Sequence, residues 1–212
     1  MRACLLLALA AAPMFSRGIE NRWTAQLAAG QTVEIKNING SIRAEPALGD
    51  DVEIIALQKG DAQVSIVQHV GGVLVRNGDN VQVDFLVRVP KHIRLIARTI
   101  NGAVDAKQLD SQTEAHTVNG DIHLSTTGSA TAETTNGSIE AALGEIANGA
   151  QFRTVNGRIS LHLPCGPAMV RAHTVHGTIA SAIPRPKHAS HAPELRVTTV
   201  NGPIELNQAH EL

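Results

Sequence analysis

The residues best suited to chemistry in this chain are its ten histidines, its acids and its two cysteines. Histidines that bind zinc must bring three or four ligands together, usually through short spacings. His116, His123, His162, His173 and His176 fall in the second half of the chain, but no His-x-His or Cys-x-x-Cys spacing joins them. Cleavage of a polysaccharide needs clustered carboxylates, for acid–base work or to hold calcium. Acids do recur at one repeating position, but they alternate there with other types: Asp105, His123, Glu140, Ser160, Ala180. No carboxylate cluster results. Cys165 lies in the turn-like Leu163-Pro164-Cys165-Gly166-Pro167 and reads as a structural or incidental cysteine, with no feature that points to an activated thiolate. The reading assigns no catalytic, cofactor-binding or metal-binding residue.

Composition narrows the classes further. The chain has 212 residues, 43% hydrophobic and 2% aromatic, with 18 glycines and no tyrosine. That length suits one domain with a real core, and the core must be built from small and β-branched side chains. A net charge of -1 carries no basic footprint for nucleic acid. Residues 1–16 read as a signal peptide, with Arg2 at its start and an apolar run from Ala3 to Phe15 that is too short for a membrane span. No membrane span is expected in the mature chain. Export would place it in the periplasm, on the cell surface or in the medium, with residues 17–212 as a single domain.

What positions the polar residues is a repeat. Thr-Ile-Asn-Gly at 99–102 is followed by Thr-Val-Asn-Gly at 117–120, Thr-Thr-Asn-Gly at 134–137 and Thr-Val-Asn-Gly at 154–157. Thr-Val-His-Gly at 174–177 and Thr-Val-Asn-Gly at 199–202 complete the set, with an early copy, Asn-Ile-Asn-Gly, at 37–40. The corner pairs are Asn39-Gly40, Asn101-Gly102, Asn119-Gly120, Asn136-Gly137, Asn156-Gly157, His176-Gly177 and Asn201-Gly202. From Asn101 onward they stand 18, 17, 20, 20 and 25 residues apart. Residues 96–206 form the regular repeats. Residues 30–95 hold degenerate coils, with Lys59-Gly60 and Asn77-Gly78 near the expected corners.

Apolar residues alternate with period two around each corner, so the flanks are strands. The residues four and two before Asn, and three and five after it, face inward; Arg98, His116, Glu133, Arg153 and His173 share an outward row. The inward set steps five residues across Asn-Gly, so the chain must bend there, and glycine tolerates the φ > 0 of a bend. Two architectures fit. The first is a parallel β-helix, or β-solenoid, of 17–25-residue Thr-Val-Asn-Gly-x-Ile coils. The alternative is an antiparallel meander with Asn-Gly in each hairpin turn. Identity between successive copies favours the solenoid, in which like positions stack into ladders and asparagines can hydrogen-bond along the stack. His116 and His173 stand three coils apart, roughly 14 Å at about 4.8 Å per layer, too far to share a metal. Pro203 lacks an N–H and suits a final or edge coil. The longest insertion, 182–194, with its prolines and histidines, forms a polar loop between the last two coils.

The Thr-Val-Asn-Gly-x-Ile units, with Val87-Arg88-Val89-Pro90-Lys91 before them, resemble the bacterial DUF4097 family of putative adhesins and the related head-GIN domain family of putative autotransporter adhesins. The resemblance covers roughly residues 30–206. It implies a secreted or envelope-associated β-solenoid without catalytic residues or cofactor. The expected partner is an envelope or surface ligand, protein or polysaccharide. A structural or envelope-stress role and a polysaccharide-active enzyme are the alternatives.

Overall fold

Nineteen strands and no helix make up the computed structural model, which describes residues 19–60, 62–78, 80–144, 149–165, 168–183 and 193–208. The proposed signal peptide, Cys4, most of the 182–194 loop, and His188, His191 and His210 lie outside the described residues. The strands form two sheets, one of ten strands and one of nine. Each regular coil contributes one strand to each sheet, and the chain crosses between them at the Asn-Gly corner.

The coils are β2 (Thr32–Lys36) with β3 (Ile42–Pro46), β8 (Arg94–Arg98) with β9 (Val104–Leu109), β10 (Thr113–His116) with β11 (Ile122–Thr126), β12 (Ala130–Glu133) with β13 (Ile139–Leu143), and β14 (Ala150–Arg153) with β15 (Ile159–Leu163). These pair in parallel with their neighbours, in register but for one shift between β9 and β11 after Leu124, so Ala97, Ala115, Ala132 and Phe152 form one column. Val104, Ile122, Ile139 and Ile159 form another. Both columns are buried. This is the solenoid of the two candidate architectures. The small residues predicted for a narrow core form its centre, with Phe152 and Phe85 the only rings among the fully buried side chains of the described residues.

Stacking does not follow chain order at either end. β18 (Glu194–Asn201) and β19 (Ile204–Gln208) insert between β14–β15 and the earlier coil β16 (Met169–His176) with β17 (Ile179–Ser181). The coil carrying Pro203 is therefore internal, and the coil carrying His176 is the outermost. Proline fits inside because the ladder passes over its position. Ile159 N–H reaches the carbonyl of Pro203, and Ile204 N–H reaches Thr178. The N–H after the corner glycine instead meets a carboxylate where one is present, as in Ser41 to Asp84 and Ser138 to Asp121, both 2.7 Å. The swap also places His116 four layers from His173, not three.

The first half is less regular than a run of degenerate coils. β6 (Gly72–Asn77) and β7 (Val83–Val89) do form a parallel coil, with Asn77-Gly78 after β6, but it stacks outside β2–β3. The rest is antiparallel: β4 (Asp51–Gln58) on β7, β1 (Ile19–Gln26) on β4, and β5 (Val64–His69) on β6. Lys59-Gly60 is the turn that ends β4 and not a coil corner. Trp23, Ala25, Val64 and Ile66 lie half-buried against the core from these outer strands.

Candidate binding surface

The corner is built from three columns, each with its own physical reason. Glycine comes first. Gly40 has φ 120, a conformation that suits glycine, but Gly137 does not lie in that region. Gly137 is required by contact: a Cβ there would lie 2.0 Å from the carbonyl oxygen of Gly120 in the neighbouring coil. The bend accounts for Gly40, Gly120 and Gly202, and close approach of backbones accounts for the whole column.

Threonine three residues before each glycine serves the carbonyl of the same column in the neighbouring coil. The Thr117 hydroxyl donates to Gly102 O at 2.9 Å, Thr134 to Gly120 O at 3.0 Å, and Thr154 to Gly137 O at 2.9 Å. Thr99, Thr199 and Thr174 repeat the contact with Gly40, Gly157 and Gly202. In the β2–β3 coil, where no threonine stands, the Asn37 amide donates to Val83 O of the neighbouring layer at 2.7 Å and to Gly40 O of its own corner at 3.1 Å. A buried carbonyl at a bend needs a donor, and a β-branched hydroxyl on the preceding strand is placed to supply it.

Asparagine forms the third column. Asn101 Nδ2 donates to Asn39 Oδ1 at 2.8 Å, Asn119 to Asn101 at 2.9 Å, Asn136 to Asn119 at 2.9 Å, Asn156 to Asn136 at 2.8 Å, and Asn201 to Asn156 at 2.7 Å. Asn39 continues the row to Asn80 Oδ1 at 2.6 Å. Every amide points the same way, so the dipoles add head to tail. The backbone of this row is also tied, as in Asn119 N–H to Ile100 O and Gly102 N–H to Asn119 O. A primary amide has two N–H donors and two acceptor sites, and the ladder takes one of each. Beside it runs the residue before asparagine: Ile38, Ile100, Val118, Thr135, Val155, Val200, and Val175 at the end coil. Ile100, Val118, Thr135 and Val175 are exposed. The corner is thus a rigid ridge that pairs an amide row with a β-branched row. Neither row contains a carboxylate, a lysine or an arginine.

His176 takes the asparagine position in the outermost coil and pairs with Asn201. Gly177 approaches Gly202 O as the other corner glycines approach their neighbours. The fourteen corner residues are therefore brought into one column of layers, although two coils are exchanged in order.

The flat faces carry charges of alternating sign. On the ten-stranded sheet Asp105 faces Lys107 at 3.2 Å, His123 faces Glu140 at 3.8 Å, and Arg158 faces Glu205 at 3.5 Å. A depression of about 430 Å³ opens here, lined by Asp105, Lys107, His123, Ser125, Glu140 and His162. On the nine-stranded sheet Arg94 pairs with Glu114, and Arg98 lies 3.5 Å from Glu34. His116 sits between Arg98 and Glu133, with Nδ1 3.4 Å from the Glu133 carboxylate and Nε2 buried without a partner. Burial, and then the Arg98 charge, hold the His116 pKa below its ordinary value of 6.5, although Glu133 and Glu114 pull the other way. Among the described residues, no three His, Cys, Asp or Glu side chains group to hold a metal. No helix among them is long and apolar enough to cross a membrane.

Sequence reasoning missed the donor role of threonine, although its recurrence two residues before each corner was the signal. It also missed His116 as a clamped group. Only its row was visible, since the layer neighbours Arg98 and Glu133 are set by stacking.

No family model and no curated protein matches the chain. Among solved structures, it is similar to a putative cell adhesion protein from Clostridium sporogenes, with 9% identity and a TM-score of 0.58 over 91% of this chain and 100% of the other. A putative adhesin from Bacteroides fragilis aligns at 9% identity and a TM-score of 0.42, over 90% of this chain and 97% of the other. The first likeness shows that the two-sheet stack is a fold already found in nature.

Proposed function

We propose that this protein is a non-catalytic, adhesin-like binding module of the bacterial cell envelope, exported by the apolar segment at residues 1–16 and folded as one β-solenoid domain from residue 17. Membership of the DUF4097 group of adhesin-like proteins fits the repeat. The similarity to a protein named for cell adhesion supports the same reading. The observation that carries it is the corner ridge. An uncharged row of aligned amides runs beside a row of β-branched side chains, exposed at Ile100, Val118, Thr135 and Val175 and half-buried at the other layers, on a backbone held by hydrogen bonds in both directions. Such a surface is preorganised and offers repeated polar and apolar contacts, which limits the ordering cost of binding. In the depression around His123, Asp105 lies beside Lys107 and Glu140 beside His123, an arrangement that supports binding better than hydrolysis.

Proximity labelling from the chain expressed in its native envelope tests location and partner together. The expected result is tagging of envelope or surface components, reduced when Val118 and Val155 on the ridge are both changed to lysine. Tagging confined to cytoplasmic proteins would refute export. Turnover of any member of a polysaccharide panel by the purified protein would replace binding with catalysis.

A further inference from the structure

One row of the outgoing strands runs through the whole stack: Phe85, Ile42, Val104, Ile122, Ile139, Ile159, Ile204 and Ile179. Seven of these are at most 2% exposed, and Ile179 is 46% exposed. On the opposite sheet of the same end coil, Val170, Ala172 and Thr174 are only half-buried, whereas Ala97, Ala115, Ala132, Phe152 and Val197 beneath Ala172 are buried. Among the described residues, no strand covers the core of the solenoid at the β16–β17 end. The edge of β16 is eight residues long, and a strand edge of this kind is a template for further pairing.

We propose that a second copy of this chain closes this end, related by a twofold axis normal to the sheets, so that β16 pairs antiparallel with β16 of the partner and β17 meets β17. This goes beyond the binding role and does not depend on it. Three observations select the occupant. First, the other end of the same stack shows what covers a coil: antiparallel strands, β4 on β7 and β5 on β6, one for each sheet. A head-to-head twofold supplies antiparallel strands to both sheets at once. Second, the β16 edge is self-complementary when Ala172 pairs with Ala172. The inward residues Val170 and Thr174 then face each other across the junction, and outward Arg171 faces His173, so no two arginines meet. Third, the donors are correctly aimed. Met169 N–H is spent on Pro193 O toward β18. Strand alternation therefore turns the N–H groups of Val170, Ala172 and Thr174 toward the open edge. The joining segment 184–192 is poorly suited to the same edge, because Pro184 and Pro186 have no N–H to donate.

Sedimentation of the purified full chain, from micromolar to sub-millimolar concentration, tests the pairing. The expected result is a dimer. Ile179→Lys should give a monomer whose melting temperature matches that of the wild-type monomer at high dilution, because Ile179 is already half exposed there. Ala172→Pro removes one open-edge donor without touching the bonds to β18 and should also give a monomer. Val67→Lys changes an aliphatic residue of similar exposure, 53%, at the closed end and should remain a dimer. Amide exchange at Val170, Ala172 and Thr174 should be slow in the dimer and fast in Ile179→Lys. A wild-type chain that is monomeric throughout, a dimer that survives Ile179→Lys, or one that Val67→Lys dissolves overturns the proposal.

Discussion

The two ends of the stack solve one problem differently. Both place a coil out of chain order: β6–β7 lies outside β2–β3, and β16–β17 lies outside β18–β19. At the first end three antiparallel strands are added, and Phe85 is 2% exposed. At the second end nothing among the described residues is added, and Ile179, at the equivalent position, is 46% exposed. A layer in a solenoid is stabilised by what lies on both sides of it. Identical repeat positions should therefore differ in energetic weight according to layer, and substitutions made in pairs can measure that difference.

The largest contrast belongs to the inward aliphatic row. Ile159→Asp places a carboxylate between two layers with no partner and should cost about 4 kcal/mol or more in chemical denaturation. Ile179→Asp, at the same repeat position on the open end, should cost less than about 1 kcal/mol in the monomer. Arg158→Asp, one residue away but outward, should stay within about 0.5 kcal/mol. Similar losses at 159 and 179 would remove the distinction between layers.

Next is the corner glycine. Gly137→Ala drives a methyl group into the Gly120 carbonyl with layers on both sides, for an expected loss of about 2–3 kcal/mol. Gly177→Ala meets Gly202 O at the same 2.0 Å, but the end coil can move outward, and the loss should be about half as large. Thr117→Val leaves the Gly102 carbonyl without its hydroxyl donor and should cost about 1–2 kcal/mol. Thr174→Val, nearer solvent, should cost less, because water can replace the hydroxyl at Gly202.

The smallest effect expected is a pH dependence from the middle of the stack. The folded pKa of His116 lies below its unfolded value near 6.5, so the folded state favours the neutral ring. Stability is then fully present above pH 6.5 and falls as the pH drops below it, while the unfolded chain takes up the proton first. His116→Gln should flatten the decline between pH 7.5 and 5 in denaturant titrations. An unchanged slope would show that the clamp between Arg98 and Glu133 does not govern the ring.

Much of this architecture is legible in the amino-acid sequence. Period-two alternation assigned Ala115, Ile122, Ile139 and Leu161 to the interior, and near-identical copies implied parallel layers. The corner residues were visible as a pattern, although their purpose was only half visible. A bend accounts for Gly40, but the demand on Gly137 comes from a carbonyl 17 residues away in sequence, and nothing local announces it. The threonines were likewise a repeated letter until Gly102 O and its equivalents stood next to them.

The pattern of the repeat by itself determined that the chain is all-β, that its core is narrow and aliphatic, and which side chains face inward. These follow from local backbone alternation and from the need to bury apolar surface, and both are written residue by residue. The order of the layers was decided only in the tertiary structure. Each coil presents nearly the same edge, so β14–β15 could accept either β16–β17 or β18–β19, and the corner pattern does not distinguish them. The long 182–194 connection permits the return, and pairing across it selects the arrangement. The same degeneracy explains why Pro203 read as an edge residue yet lies inside, and why the exposed layer at β16–β17 was invisible until the stack was assembled.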